Sequence, residues 1–191
     1  MKFAVKNLAL FIFFSLALSS FTSCGGGSQT ENSNAAGATK KSDYPPVPPA
    51  IMQAEHKGLK GSKIKLEDYK GKVVLINLWA TWCRPCLAEM PHLVELQNTH
   101  KDKGFEILGL DIEPEDTEEK VAEFSERMKL NYTLGWIEGK DNNELLKISK
   151  FNGIPQSFLI SREGQILGVF TGGSPTIIAK LKETVEKAVS E

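Results

Sequence analysis

Apolar and polar residues follow two different periods along this chain. Residues 73–79 form an almost continuous apolar run that is rich in β-branched side chains and too short for a helix, which is typical of a buried strand. Strands are predicted at residues 64–66, 73–79, 105–110, 132–137, 156–160 and 165–170. The last two flank a turn at residues 162–164, which is the signature of a hairpin.

Helical spacing appears between these strands. Apolar residues recur at helical intervals from Leu87 to Leu96, and Asp116 with Glu119 has the form of a capping box for a second helix. Residues 142–151 predict a third helix, and Ser174 followed by proline predicts the start of a last one. The order strand–helix–strand–helix–strand–helix–strand–strand–helix indicates an α/β fold, with helices on both faces of a mixed sheet.

The first 46 residues have a different composition. Lys2 and Lys6 precede an apolar stretch that is too short to span a membrane, so residues 1–23 are expected to be a signal peptide. Cys24 follows small residues as in a bacterial lipobox and is the predicted lipidation site, although an ordinary secretory signal is the alternative. Residues 24–46, rich in Gly, Ser and Pro, are expected to be a flexible tether, and residues 47–191 a single domain.

Charge and cysteine content narrow the functional classes. The formal net charge is −1 and no basic stripe occurs, so nucleic acid is not expected as a partner. Of three cysteines, lipidation would account for Cys24, which leaves Cys83 and Cys86 as a pair. A lipid-anchored domain on the outer, periplasmic side of a bacterial membrane is the localisation that these features predict.

The pair has the spacing of a redox dithiol. Cys83 stands where the strand at residues 73–79 gives way to a helix, and the free amides of a helix start favour a thiolate. We expect Cys83 to be the exposed nucleophile and Cys86, one turn further on, the resolving thiol. Arg84 adds positive charge beside Cys83, and Pro85 suits the first helical turn.

Other interpretations of these residues stay open at this stage. The pair could form a structural disulfide, although so short a loop constrains the unfolded chain little. It could also be half of a zinc site, but no second pair of ligands follows at suitable spacing. The acidic residues 113–116 could bind a metal ion, although acidic residues commonly stabilise a helix start. No metal and no cofactor are predicted.

The motif WATWCRPC at residues 79–86, together with Gly153-Ile154-Pro155 before the final hairpin, resembles the thioredoxin fold. More narrowly, the chain is similar to the extracytoplasmic TlpA/ResA-like thiol–disulfide oxidoreductases over residues 47–191. The helix and strand expected between residues 111 and 137 match the insertion of that family.

The resemblance implies roles for individual residues. Cys83 and Cys86 would be the redox-active disulfide, and Pro155 would follow a cis peptide bond beside Cys83, where a client chain can pair with the backbone. The proposed client-binding residues are Trp82, Arg84, Pro85 and Ile154. Glu89 corresponds to an acidic residue near the dithiol and could accept the proton of Cys86, with a solvated helical glutamate as the alternative. It would replace the buried aspartate of thioredoxins, whose position is Asn77 here.

The function implied is disulfide reduction in exported proteins, with apocytochrome c among the family's clients and a membrane electron donor for re-reduction. Ile154 before the proline resembles the reducing members of the family. An oxidant or isomerase of the same fold is one alternative. A Cu(I)-binding protein that uses the two thiols is another, although related copper proteins usually space their cysteines by three residues.

Overall fold

The structure, a computed structural model, describes residues 42–191. The signal peptide, Cys24 and most of the predicted tether lie outside this range. The elements follow in this order: α1 (Pro49–Gln53), β1 (Glu55–Gly58), β2 (Lys63–Lys65), β3 (Val73–Trp79), α2 (Arg84–His100), β4 (Phe105–Asp111), α3 (Glu118–Met128), β5 (Thr133–Trp136), α4 (Gly139–Ser149), β6 (Gln156–Ile160), β7 (Ile166–Thr171) and α5 (Pro175–Ser190).

One seven-stranded sheet has the order β2-β1-β5-β4-β3-β6-β7. β3 is parallel to β4, and β4 to β5, whereas the other pairs are antiparallel, so the predicted mixed sheet is confirmed. Because β3 and β4 are parallel, the residues that follow them, 80–86 and 112–117, lie at one end of the sheet. We call this the dithiol end. The opposite turn end carries residues 70–72, 101–104 and 161–165.

Side chains of the central strand β3 alternate between two cores. Val74, Ile76 and Leu78 belong to a core that includes residues of α1 and α4. Val73 and Leu75 belong to a core that includes residues of α2 and α5. All seven residues of β3 are buried, because helices cover both faces of the sheet. The continuous apolar run in the sequence follows from this double burial.

A third core lies at the dithiol end. Trp79, at the end of β3, stacks on Phe124 of α3 with ring centroids 5.1 Å apart. Cys83, Cys86 and Met90 belong to the same cluster, as does Leu134 of β5. The insertion formed by α3 and β5 therefore builds part of the apolar surroundings of the cysteines.

Residues 42–46, which the sequence assigns to the tether, contact the domain at the turn end. The hydroxyl of Ser42 donates to the carbonyl of Ile166, and the Gln165 amide donates to the Tyr44 carbonyl at 2.7 Å. Pro46 forms an isolated bridge with Gln165. We call residues 42–46 the strap.

The structure differs from the sequence prediction at several boundaries. α1 and β1 were not predicted, and α4 begins at Gly139 rather than at Asn142. The cap of α3 is also corrected: Thr117, not Asp116, accepts the Lys120 amide with its side chain, at 3.3 Å. Ser174 caps α5 as predicted. Within residues 42–191, none of the helices has both the length and the apolar content that crossing a membrane requires.

Candidate active site

The two cysteines of the motif are joined at the start of α2. Cys83 is the N-cap residue of this helix and forms a disulfide with Cys86. Its sulfur also accepts the Cys86 amide at 3.3 Å. A thiolate released at Cys83 would therefore meet the free amides and the positive end of the helix dipole. Arg84 and Pro85 lie exposed beside it.

The expected exposure of Cys83 is wrong for this state of the protein. Cys83 is 3% exposed and Cys86 is 1% exposed, so the first cysteine is barely more accessible than the second. The closed ring turns the sulfur of Cys83 towards the helix, and Ile154 packs against the cluster that contains both cysteines. Trp82 is 61% exposed and is the large side chain next to them that faces solvent.

Glu89 lies buried behind the disulfide. It is three residues after Cys86 and hence on the same face of α2, and it is only 2% exposed. Its carboxylate accepts a hydrogen bond of 3.3 Å from the amide of Asn77, which also donates to the Ser157 hydroxyl at 3.0 Å. Burial raises the pKa of Glu89 to about 7, against the opposing effect of the Asn77 hydrogen bond. The alternative of a solvated helical glutamate is thus excluded.

Two further polar side chains, Trp79 and Tyr132, pack in the cluster that contains the cysteines. In the described part of the chain, neither the Trp79 ring nitrogen nor the Tyr132 hydroxyl has a hydrogen-bond partner, although both are buried. Burial, and then the charge of Glu89, raise the pKa of Tyr132 above its ordinary value. Gly109 of β4 makes room for these rings: a methyl group there would lie 3.0 Å from the Tyr132 ring. Tyr132 was not among the predicted site residues, although a glycine inside a strand often marks such a close approach.

Ile154 and Pro155 approach the disulfide from the loop before β6. The peptide bond between them is cis, as the resemblance implied. The Pro155 carbonyl accepts the amide of Gly172 at 2.8 Å and is thus already paired within the domain. The side-chain amide of Gln156 donates to the Gly153 carbonyl at 2.7 Å and fixes the turn that precedes the cis bond.

The loop between β4 and α3 forms the other side of the dithiol end. Asp111 is fully buried, and burial together with the neighbouring charge of Asp116 raises its pKa to about 8. Burial opposes the ionisation of Asp116, but hydrogen bonds from the Lys120 ammonium and the Thr81 amide outweigh it and hold the pKa below its ordinary value. With Glu113, these carboxyl groups also line a cleft of about 700 Å³.

Comparison with known proteins agrees with this architecture. Residues 48–169 match the model of the AhpC/TSA family. The thiol-disulfide oxidoreductase ResA of Bacillus thuringiensis subsp. konkukian is 38% identical over 114 residues, which are 60% of this chain and 63% of the relative. The ResA of Geobacillus kaustophilus is also 38% identical, over 115 residues and the same shares. The matched region therefore spans less than two thirds of these relatives.

Solved structures share the fold over more of the chain. The thioredoxin domain of a thiol-disulfide oxidoreductase from Bacteroides vulgatus has a TM-score of 0.60 and 32% identity, covering 71% of this chain and 92% of that domain. A thiol:disulfide interchange protein of the thioredoxin family from Chlorobium tepidum has a TM-score of 0.61 and 25% identity. The match covers 78% of this chain and 99% of that one. This chain belongs to the AhpC/TSA family, with the thioredoxin fold that these thiol–disulfide oxidoreductases share.

Proposed function

We propose that this protein is a thiol–disulfide oxidoreductase that reduces disulfides of exported proteins through Cys83 and Cys86. The observation that carries the proposal is the buried carboxyl group of Glu89 on the same helix face as a disulfide at a helix start. A pKa of about 7 lets Glu89 take up and return a proton at the pH of the surroundings. A disulfide with a purely structural role has no use for such a group.

The proposed reaction consists of two exchanges. In the first, the Cys83 thiolate attacks one sulfur of the client disulfide, which forms a mixed disulfide and releases the other client sulfur as a thiolate. In the second, Cys86 gives its proton to Glu89 and attacks Cys83, and the client leaves with both sulfurs reduced. Two electrons have then passed to the client, and Cys83 and Cys86 are again joined.

Re-reduction needs a second dithiol as the electron source. We propose a membrane electron donor for this step, since the compartment outside the cytoplasmic membrane offers no glutathione buffer. The proposed anchor is a lipid on Cys24, which would keep the domain beside such a donor. The clients are thiol proteins exported to the same compartment, with apocytochrome c as the candidate that the resemblance to ResA suggests.

The reduction potential tests the direction of the proposed reaction. The chain with Cys24→Ala, which leaves only the redox pair, is equilibrated with thiol buffers of defined potential. A value of about −270 mV or lower, near that of thioredoxin, is expected for a reductase. A value near about −120 mV would make the protein an oxidant instead. Absence of a reversible couple, with tight Cu(I) binding lost in Cys83→Ser, would favour the copper-binding alternative.

Single cysteine variants test the order of the two exchanges. With Cys86→Ser, we expect a stable mixed disulfide between Cys83 and a disulfide-containing client peptide, because no thiol remains to resolve it. With Cys83→Ser, no mixed disulfide should form, since Cys86 lies inside α2 rather than at the N-cap, where the free amides favour a thiolate. Mass spectrometry of the non-reduced adducts distinguishes the two. Trapping through Cys86 rather than Cys83 would contradict the proposed order.

A further inference from the structure

Asp116 has a different partner from the one expected at a helix start. Thr117 caps α3 with its side chain, which leaves the carboxylate of Asp116 for other contacts. Its side chain is fully buried and forms a salt bridge with Lys120 on one side. On the other side it accepts the backbone amide of Thr81 at 3.1 Å. Asp116 therefore links the inserted helix to the segment that leads into the cysteines.

That segment is a tight turn with Cys83 as its last residue. The amide of Cys83 donates to the Ala80 carbonyl at 3.1 Å, so Thr81 and Trp82 are the two central residues of the turn. The Asp116 carboxylate accepts a hydrogen bond from the Thr81 amide, and the Glu113 carboxylate accepts one from the Trp82 indole N–H at 3.0 Å. Both central residues are thus fixed by carboxylates of the loop between β4 and α3.

Asp116 itself is fixed from three directions. Its backbone carbonyl accepts the indole N–H of Trp136 at 3.0 Å, and its side chain binds Lys120 and Thr81. Removing a carboxylate from water lowers the stability of the folded state unless hydrogen bonds and an opposite charge compensate it. A neutral side chain could cap the Thr81 amide at a lower cost. The negative charge at this position therefore calls for a reason beyond the packing of the turn.

We propose that Asp116 is a positioning residue of the dithiol, which holds the turn before Cys83 and, balanced by Lys120, sets the electrostatic surroundings of the Cys83 thiolate. The inference rests on the proposed dithiol exchange. The carboxylate opposes the effects of the helix start and of Arg84, which both favour a thiolate. The positive charge of Lys120 partly cancels this effect of the Asp116 carboxylate. The titratable groups that face Asp116 are Lys120 and the carboxyl group of Asp111, whose pKa the charge of Asp116 helps to raise, and Glu113 lines the same cleft.

Two variants with opposite charge effects test the inference. Both are made in a chain carrying Cys24→Ala and Cys86→Ser, so that Cys83 is the single thiol, and its alkylation by iodoacetamide is followed against pH. Asp116→Asn keeps an acceptor for the Thr81 amide but removes the negative charge, so the titration midpoint of Cys83 should fall. Lys120→Met leaves Asp116 uncompensated, so the midpoint should rise. A shift of about half a pH unit each way is expected for partly screened charges.

A purely structural role gives a different result. If the ion pair only holds the loop in place, breaking it from either side loosens the same turn and shifts the midpoint in the same direction. Shifts of equal sign, or an unchanged midpoint in Lys120→Met, would overturn the inference. Lys147→Met is the matched control, because Lys147 pairs with Glu144 on the exposed side of α4 and should leave the midpoint unchanged.

The design separates this inference from the proposed function. The side chain of Lys120 is 51% exposed, so Lys120→Met is expected to fold even if Asp116→Asn does not, and thermal unfolding checks both variants. The reduction potential of the chain with both redox cysteines tests the exchange reaction by itself. A reversible couple together with shifts of equal sign would retain the oxidoreductase and reject the role of Asp116.

Discussion

The two ends of the sheet hold their loops in different ways. At the turn end, the guanidinium of Arg162 donates to the carbonyls of Gly71 and Lys103 at 3.0 Å each, and Lys72 pairs with Glu106 at 2.9 Å. These charges lie at the surface and each has a partner. At the dithiol end, the carboxyl groups of Glu89 and Asp111 are buried, and burial raises both pKa values towards neutrality.

The charged groups at the two ends of the sheet have different effects on stability and on reactivity. Paired surface charges at the turn end contribute modestly to stability and can be exchanged for other polar groups. Buried carboxyl groups with raised pKa values lower the stability of the folded state at neutral pH, but they can exchange protons there. We therefore expect removal of a buried carboxyl group at the dithiol end to change activity and stability in opposite directions. Substitutions at the turn end should change stability alone.

Among the variants that test this comparison between the two ends of the sheet, Glu89→Gln should have the largest effect. Since the pKa of Glu89 is raised from 4.5 to about 7, the folded chain binds more protons than the unfolded chain between these values, and stability falls as the pH rises through this window. By pH 8 the cost amounts to about 3 kcal/mol. The glutamine variant should therefore be more stable at pH 8, by up to this amount, and little changed at pH 4. Urea unfolding at the two pH values measures the effect.

The same variant should lose activity. Without a group that accepts the proton of Cys86, resolution of the mixed disulfide is expected to slow by about 100-fold near pH 7, the usual range for general base catalysis. Stopped-flow measurement of client release reports this step. Glu95→Gln, on the exposed side of α2, is the control and should keep full activity. A Glu89→Gln variant that is both less stable at pH 8 and fully active would refute the comparison.

Gly173→Ala probes the close contact between Gly173 and the backbone of Pro85, at the start of α2. A methyl group on Gly173 would lie 2.8 Å from the carbonyl oxygen of Pro85, so the start of α2 has to move. The overpacking should cost about 1–3 kcal/mol in stability, and exchange should slow because Cys83 caps the displaced helix. Gly139→Ala is the matched control, since a methyl group there meets no atom within 4 Å. Equal unfolding midpoints for the two variants would contradict the assigned contact.

Arg162→Ala should have the smallest effect and should act on stability only. The loss of two hydrogen bonds from a partly exposed guanidinium should cost about 1 kcal/mol, while the exchange rate stays unchanged. Arg162→Lys provides a second comparison, because an ammonium group cannot reproduce the planar pair of donors and should recover only part of the loss. A change in exchange rate in either variant would show that the two ends are coupled.

The sequence predicted the central elements well because their patterns are strong. β3 and β4 lie in the middle of the sheet and are apolar along almost their whole length, and the dithiol follows β3 directly. β1 escaped prediction because its inward-facing residues are His56 and Gly58, which give no apolar alternation. α1 is short and begins at a proline within a proline-rich stretch.

The site was predictable in its sulfur chemistry and less so in its polar surroundings. The positions of Cys83 and Cys86 follow from local spacing. The burial of Glu89 depends on Asn77 and Ser157, which come from two other elements, so a helical sequence alone cannot show it. Asp116 illustrates the same limit: its place before a helix suggested a cap, whereas its partner Thr81 is 35 residues away in sequence.

The strap and the dithiol lie at opposite ends of the sheet. The strap meets the hairpin turn between β6 and β7, at the end of the sheet where β3 begins, whereas Cys83 follows the end of β3. A seven-residue strand spans about 20 Å, which separates the two points. In the proposed lipid-anchored protein, an attachment through the residues that precede Ser42 would therefore hold the domain at the end of the sheet opposite to Cys83.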